Sequence, residues 1–186
     1  VFAAIRVPAA ALQPELDRLR AALTPFPFIR LHPDGFLHIT IQELGFLCEH
    51  PGRPDEISQT RLDEFVDAAA AVITERRPVE ITLGGSNSFQ DAVFLDVHDG
   101  NTLAPLQERL FDLAAIPRGQ RYAYLPHCTV AHYTSNAPTT HLAATIGRWR
   151  ETAFGRFTAS QVDILTLRND EPYPPLETWA VLPFKD

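Results

Sequence analysis

The chain has 186 residues, 45% of them hydrophobic, enough for one sizeable core or for two small lobes sharing one interface, and it is read as a single domain over 1–186. Sixteen basic residues against twenty-three acidic ones give a net charge of −7, the wrong sign for gripping long nucleic acid by counterion release. That excludes duplex DNA as a partner and favours a small phosphorylated substrate or the end of an RNA.

No apolar stretch approaches the roughly eighteen residues of a membrane-spanning helix, and the run 1–7 is too short and too unflanked to be a secretion signal. Two cysteines, Cys48 and Cys128, have no metal-type spacing and fit a reducing compartment, both as small buried apolar groups. The expectation is a soluble cytoplasmic protein, monomeric, with no membrane partner. The absence of Met, an initiator included, is read as numbering that begins after the first codon.

Residues 1–7 read as a buried strand ended by Pro8, after which Leu12, Leu16, Leu19 and Leu23 recur at helical spacing, with Pro14 where a first turn tolerates it. Pro25 and Pro27 break that helix. A short strand over 28–31, a turn at 32–35 and a long apolar strand over 36–47 follow. A Pro/Gly/charge-rich loop leads to a helix over 60–76 with Leu62, Phe65, Val66, Ala69 and Ile73 on one face, and Thr60 with Asp63 marks its start. Residues 79–83 and 89–97 alternate like a β-hairpin around the turn 84–87. A helix striped by Leu103, Leu106, Leu110 and Leu113 precedes a basic loop, 118–121, and a strand over 123–133. A helix over 140–150 and strands near 155–167 and 178–184 complete the chain. Helices mixed with hairpins predict an α+β fold rather than a doubly wound parallel sheet.

Two of these strands carry the same short pattern, His38-Ile39-Thr40-Ile41 and His127-Cys128-Thr129-Val130. With seven His and fifteen Thr in the chain, chance supplies roughly half an H-x-T, and about a tenth once apolar residues are required at the intervening and following positions. The copies lie 89 residues apart, nearly half the chain, the spacing an internal duplication would leave. In a strand, residues i and i+2 share a face, so each copy presents an imidazole beside a hydroxyl, and two such strands could grip a phosphate from both sides.

That chemistry is self-consistent. Cleaving a phosphodiester needs one group to take a proton from the nucleophile and another to protonate the departing oxygen, and an imidazole can do either near neutral pH. Thr hydroxyls would bond the non-bridging oxygens, where charge builds. No metal or cofactor is required.

HITI and HCTV resemble the paired H-x-T-x motifs of the 2H phosphoesterase superfamily. The opening VFAAI, the stretch GFLHITI and PHCTVA are similar in order to positions of its 2′-5′ RNA ligase / cyclic phosphodiesterase branch, so the resemblance covers most of the chain. It implies a bilobal α+β fold with pseudo-two-fold symmetry, antiparallel-rich sheets forming a central cleft, one motif strand from each lobe facing it, and helices outside. It also implies metal-independent hydrolysis of 2′,3′-cyclic phosphate ends of RNA or nucleotides, or of 2′-5′ linkages, with reversible 2′-5′ joining in some members. By motif, His38 and His127 are the catalytic pair, and Thr40 and Thr129 hold the phosphate. The chain departs from the pattern in carrying His132 where many relatives have Arg, and Gln42 to Leu47 where Phe-Leu-Gly is familiar. Two other readings stand beside this one: a nucleotide- or RNA-end-binding module with little turnover, and a phosphoesterase recruited to a non-nucleotide substrate.

Strand parity also puts Ala131 and Tyr133 on the catalytic face of the second strand, with Cys128, Val130 and His132 on the other. Tyr133 is a candidate for stacking on a base, and Gln42 is a comparable candidate. Arg121, and behind it Arg118, could reach a phosphate from the basic loop, with Arg30 and Arg6 ranked lower. His32, His50, His98 and His141 are expected at the surface.

Overall fold

The computed structural model describes residues 1–116 and 123–185. Strand β1 (Phe2–Arg6) leads through a 3-10 turn (Ala9–Leu12) into helix α1 (Glu15–Leu23), which buries Leu16, Leu19 and Leu23 beside Leu12, as their spacing predicts. Strand β2 (Ile29–Leu31) and a 3-10 turn (Asp34–Phe36) lead to β3 (His38–Glu43). The single strand expected over 36–47 is broken. Strand β3 begins at His38 itself, so the motif opens the strand. Gly45, at φ 115° and with no room for a Cβ against the Asp55 carbonyl, turns the chain into β4 (Phe46–Leu47), which pairs in parallel with β5 (Glu56–Ile57).

Helix α2 (Gln59–Ile73) is capped by Ser58, whose side chain accepts the Arg61 N–H at 3.2 Å, so the helix starts just before the Thr60 signal. Strands β6 (Val79–Ser88) and β7 (Ala92–His98) form the expected hairpin, but its turn is not at 84–87. The register of β6 shifts between Gly84 and Ser86, with Gly85 at φ 76°, so the glycine pair makes a bulge inside the strand. After α3 (Leu103–Ala114) come β8 (His127–Tyr133), α4 (Thr140–Gly147), β9 (Ala153–Ala159), β10 (Gln161–Thr166) and β11 (Glu177–Pro183). The strand expected over 155–167 is therefore two, and they go to opposite halves of the sheet.

The sheet runs β11-β10-β1-β3-β8-β7-β6-β9, with β2 beside the far half of β8, and every pairing in it is antiparallel. Its midline is the junction of β3 with β8, the two motif strands. Either side of that line lie four strands of the main path. The halves are exchanged: β6, which follows α2, joins the half built on β8, and β10, which follows α4, joins the half built on β3. This is the curled α+β architecture that the motifs imply.

The described helices all cover one face. Leu12, Leu16, Leu19 and Leu23 join Leu62, Phe65, Leu103, Leu106, Leu110 and Leu142 in one core with Ala3, Ile5, Ile39, Ile41, Cys128 and Val130 of the sheet. The other face is left open at the centre, and a small cluster of Phe2, Ala4 and Leu165, with Leu167 and Leu176, packs on it. Among the described residues no helix is long and apolar enough to cross a membrane.

Candidate active site

Strands β3 and β8 meet where Ile39 faces Cys128, the middle residues of the two motifs. Both are fully buried on the helical side, while His38, Thr40, His127 and Thr129 are half-exposed on the open face. Extending the antiparallel register by one residue sets His38 across from Thr129 and Thr40 across from His127. Two imidazole and hydroxyl pairs therefore converge across the midline, as the motif spacing predicts.

The two imidazoles are held in the same way. His38 Nδ1 lies 2.7 Å from the Phe36 carbonyl oxygen, and His127 Nδ1 lies 2.8 Å from that of Leu125, in each case two residues back. A carbonyl can only accept, so Nδ1 carries the hydrogen in both rings and Nε2 is left to the open face. Aromatic rings flank each one: Phe2 at 5.0 Å and Phe36 at 5.5 Å from His38, Phe89 at 4.9 Å and Phe94 at 5.4 Å from His127, between centroids. Backbone and packing thus fix ring position and tautomer together.

Parity fails after the Thr in both strands. Against β1, Thr40 pairs with Ala4 but Gln42 with Ala3. Against β7, Thr129 pairs with Phe94 but Ala131 with Val93. Ile41 and Val130 are extra residues, one bulge in each motif strand, and each reverses the faces beyond it. Ala131 therefore lies in the core, not on the catalytic face, and His132 turns to the open face, opposite to the parity reading. Gln42 goes inward as well, and its Oε1 accepts from Gln107 on α3 at 3.0 Å, so it is not a base-contacting residue.

Burial pushes the His38 pKa below its ordinary 6.5, and the nearby His127 and Arg6 push the same way, against the Phe36 carbonyl bond. Arg6 stands across from His38 on β1, with its Nε 3.2 Å from the buried Asp163 carboxylate and a terminal nitrogen 3.0 Å from the Leu176 carbonyl. The Cys128 thiol, wholly buried, is pushed up to about 12, which suits an apolar filler and not a nucleophile. Cys48 is only half-buried.

Tyr133 lies on the rim, its hydroxyl bonded to Ser88 and its ring edge-on to Phe28 at 6.3 Å. Arg121 and Arg118 lie outside the described residues. His50, His98 and His141 are exposed as expected, but His32 is not: it is 2% exposed, its Nε2 3.0 Å from His132 Nδ1. The turn residues after His32 marked it as a surface residue, yet Tyr173, 141 positions later, folds over it at 4.5 Å between ring centroids. Nothing local in the sequence foretells that contact. Arg6, ranked low among the arginines in the sequence reading, pairs with His38 in the register of β1 with β3.

The family model of the 2′-5′ RNA ligase superfamily matches residues 8–171, and the chain belongs to that superfamily of 2H phosphoesterases. It is accordingly a phosphoesterase- or ligase-like enzyme by family. Among solved structures, TT0787 of Thermus thermophilus is similar at 18% identity with a TM-score of 0.71, over 98% of this chain and 96% of that one. LigT of E. coli complexed with NADP+ is similar at 16% identity and 0.72, over 100% and 96%. The MHV ns2 PDE domain is similar at 14% identity and 0.51, over 95% of each chain. LigT has also been solved with 3′-AMP. No curated protein matches by sequence.

Proposed function

We propose that the protein hydrolyses 2′,3′-cyclic phosphate ends of RNA or nucleotides, or 2′-5′ phosphodiesters, without a metal, by paired histidine acid-base catalysis. The observation that carries this reading is the matched pair of carbonyl-tethered imidazoles, each with a free Nε2 on the open face and a Thr hydroxyl across the midline. The nucleotides bound to LigT make a small nucleotide a reasonable ligand class for a protein of this fold. Both rings retaining this geometry favours turnover over mere nucleotide binding, since a binder has no need of two proton-transfer groups.

In the forward step a water gives its proton to His38 Nε2, which burial keeps neutral and ready to accept. The water oxygen attacks phosphorus in line, and the bond to the ribose oxygen opposite breaks. That oxygen takes the proton from His127 Nε2. Solvent then restores both rings, and atoms and charge balance as one water added across one P–O bond. Thr40 and Thr129 hydroxyls donate to the two non-bridging oxygens as negative charge grows there. With a 5′ hydroxyl in place of water, the same step on a 2′,3′-cyclic phosphate would form the bond from O5′ to phosphorus, break the bond to O3′ and leave a 2′-5′ linkage, His38 taking the hydroxyl proton and His127 protonating O3′.

Incubation with nucleoside 2′,3′-cyclic phosphates in excess chelator, resolving 2′- from 3′-phosphate products, tests this. Turnover should survive the chelator, and Thr40→Val or Thr129→Val should each cost about 10²-fold in kcat. Activity that requires added metal would overturn the mechanism.

A further inference from the structure

A cavity of about 540 Å³ lies at the end of the sheet where β6 begins and β7 ends. Its volume is within the range of about 300–1,000 Å³ usual for small-molecule sites. One wall is the connection from α2 to β6, with Arg76 and Arg77, and the other is the connection from β7 to α3, with Asp99, Gly100 and Thr102. No residue of either motif is among those that line it.

The first wall carries unbalanced positive charge. Among the described residues, half-buried Arg76, exposed Arg77 and Arg109 of α3 make no ion pair and no side-chain hydrogen bond. Burial and the charge of Arg109 both push the Arg76 pKa below its ordinary 12.5, so these two guanidinium groups stand close enough to repel. The C-terminus of α2 favours a cation just beyond it. It does not account for a further cation brought up from α3 with no carboxylate paired to it, in a chain whose net charge is −7. An anion seated in the cavity does account for it.

Both walls are set before any ligand arrives. The Arg76 carbonyl accepts the Lys185 N–H at 2.6 Å, and the Arg76 N–H donates to the Ile73 carbonyl at 3.0 Å. Opposite, Asp99 Oδ2 accepts the Leu103 N–H at 2.5 Å, and Thr102 Oγ1 donates to the Asp99 carbonyl at 2.7 Å. Ordering entropy is therefore spent in folding and not at binding. Glu80, which also lines the cavity, accepts from the Thr158 hydroxyl through Oε1. Asp99 and Glu80 each keep one carboxylate oxygen without a partner among the described residues, ready to accept from hydroxyl groups.

We propose that this cavity binds a small phosphate ester, its phosphate on Arg76 and Arg77 beside Arg109, its hydroxyl groups toward Asp99 and Glu80. A phosphate monoester supplies the two negative charges and the acceptor oxygens that paired guanidinium groups match. The carboxylates of the lining and the net charge of the chain disfavour a long polyanion here. The site is separate from the paired histidines and stands whether or not the phosphodiesterase reading does.

Titration of nitrogen-15-labelled protein with inorganic phosphate and with ribose 5-phosphate tests it, followed by the amide signals of Gly100 and Thr102 and the side-chain Nε–H signals of Arg76 and Arg77. The amides of His38 and His127 report separately on phosphate held between the motifs. Saturable shifts are expected at all four cavity signals, with tighter binding for ribose 5-phosphate than for inorganic phosphate. Arg76→Gln should weaken binding at Gly100 and Thr102 by about tenfold or more and leave the response of His38 and His127 as it was. Arg76→Lys, which keeps the charge, should recover part of that loss, and circular dichroism checks that each variant is folded. Shifts confined to His38 and His127, or a folded Arg76→Gln protein that binds as the wild type does, overturn the site. An oligouridylate that occupies the cavity more tightly than ribose 5-phosphate overturns the small-ligand class.

Discussion

His38 and His127 are each tied by Nδ1 to the carbonyl two residues back, a local contact that needs only the strand and the step before it. The motif spacing carries this much of the site by itself. It does not carry the electrostatic difference that His38 gains from burial and from Arg6 across the strand. Because its pKa is lowered and its working form is the neutral base, kcat/KM should rise with pH through a value below 6.5 and fall once the acid has lost its proton. A pH-rate profile checks this, and an acid limb centred above 6.5 would contradict it. His32 makes a separate statement about stability. Its folded pKa, about 3, is depressed below its ordinary 6.5, so the unfolded chain takes up the proton first as the pH falls. The neutral-His32 contribution is full above pH 6.5 and is lost from there down towards pH 3, at about 1 kcal/mol per pH unit. Urea titrations between pH 7 and 4 should show a shallower slope in His32→Phe than in the wild type, and parallel slopes would refute the buried neutral imidazole.

At the scale of elements, helices α1, α2 and α3 were legible because leucines and other apolar residues recur at 3.6-residue spacing, and the motif strands because their residues alternate. The bulges at Ile41 and Val130 were not. They add no glycine or proline to mark them, and they show only in the pairing with β1 and β7. That is why Ala131 and His132 are exchanged relative to a two-residue period, and why His132 faces the open side after all. The glycine pair at 84–85 misled in the opposite sense, since glycine serves a bulge as readily as a turn. Gly155 is a tighter constraint: a Cβ there would lie 1.9 Å from the Ala11 carbonyl oxygen, in the backbone of the turn that β9 packs against. Gly155→Ala should destabilise the fold by about 2 kcal/mol or more, read as a drop in the urea midpoint at unchanged m-value. An unchanged midpoint would mean that the turn moves aside freely.

In the whole molecule, two motifs at nearly half-chain spacing come together where β3 pairs with β8, with four strands of the main path on either side of that junction. The exchange of β6 and β10 between the halves was beyond sequence reasoning, because strand order in a sheet depends on long-range pairing and not on local pattern. Its consequence is mechanical: each motif strand sits among strands supplied from both parts of the chain, so the halves should melt together. One unfolding transition, with fluorescence and circular dichroism coincident, is expected, and two separated transitions would contradict it. The pairing of β3 with β8 brings two imidazoles to one midline, and on this the functional account depends. The most direct test compares hydrolysis of nucleoside 2′,3′-cyclic phosphates in excess chelator by the wild type, His38→Ala and His127→Ala. The account predicts turnover by the wild type and a loss on the order of 10³-fold or more in each variant. A variant retaining turnover near the wild-type rate would contradict paired histidine catalysis.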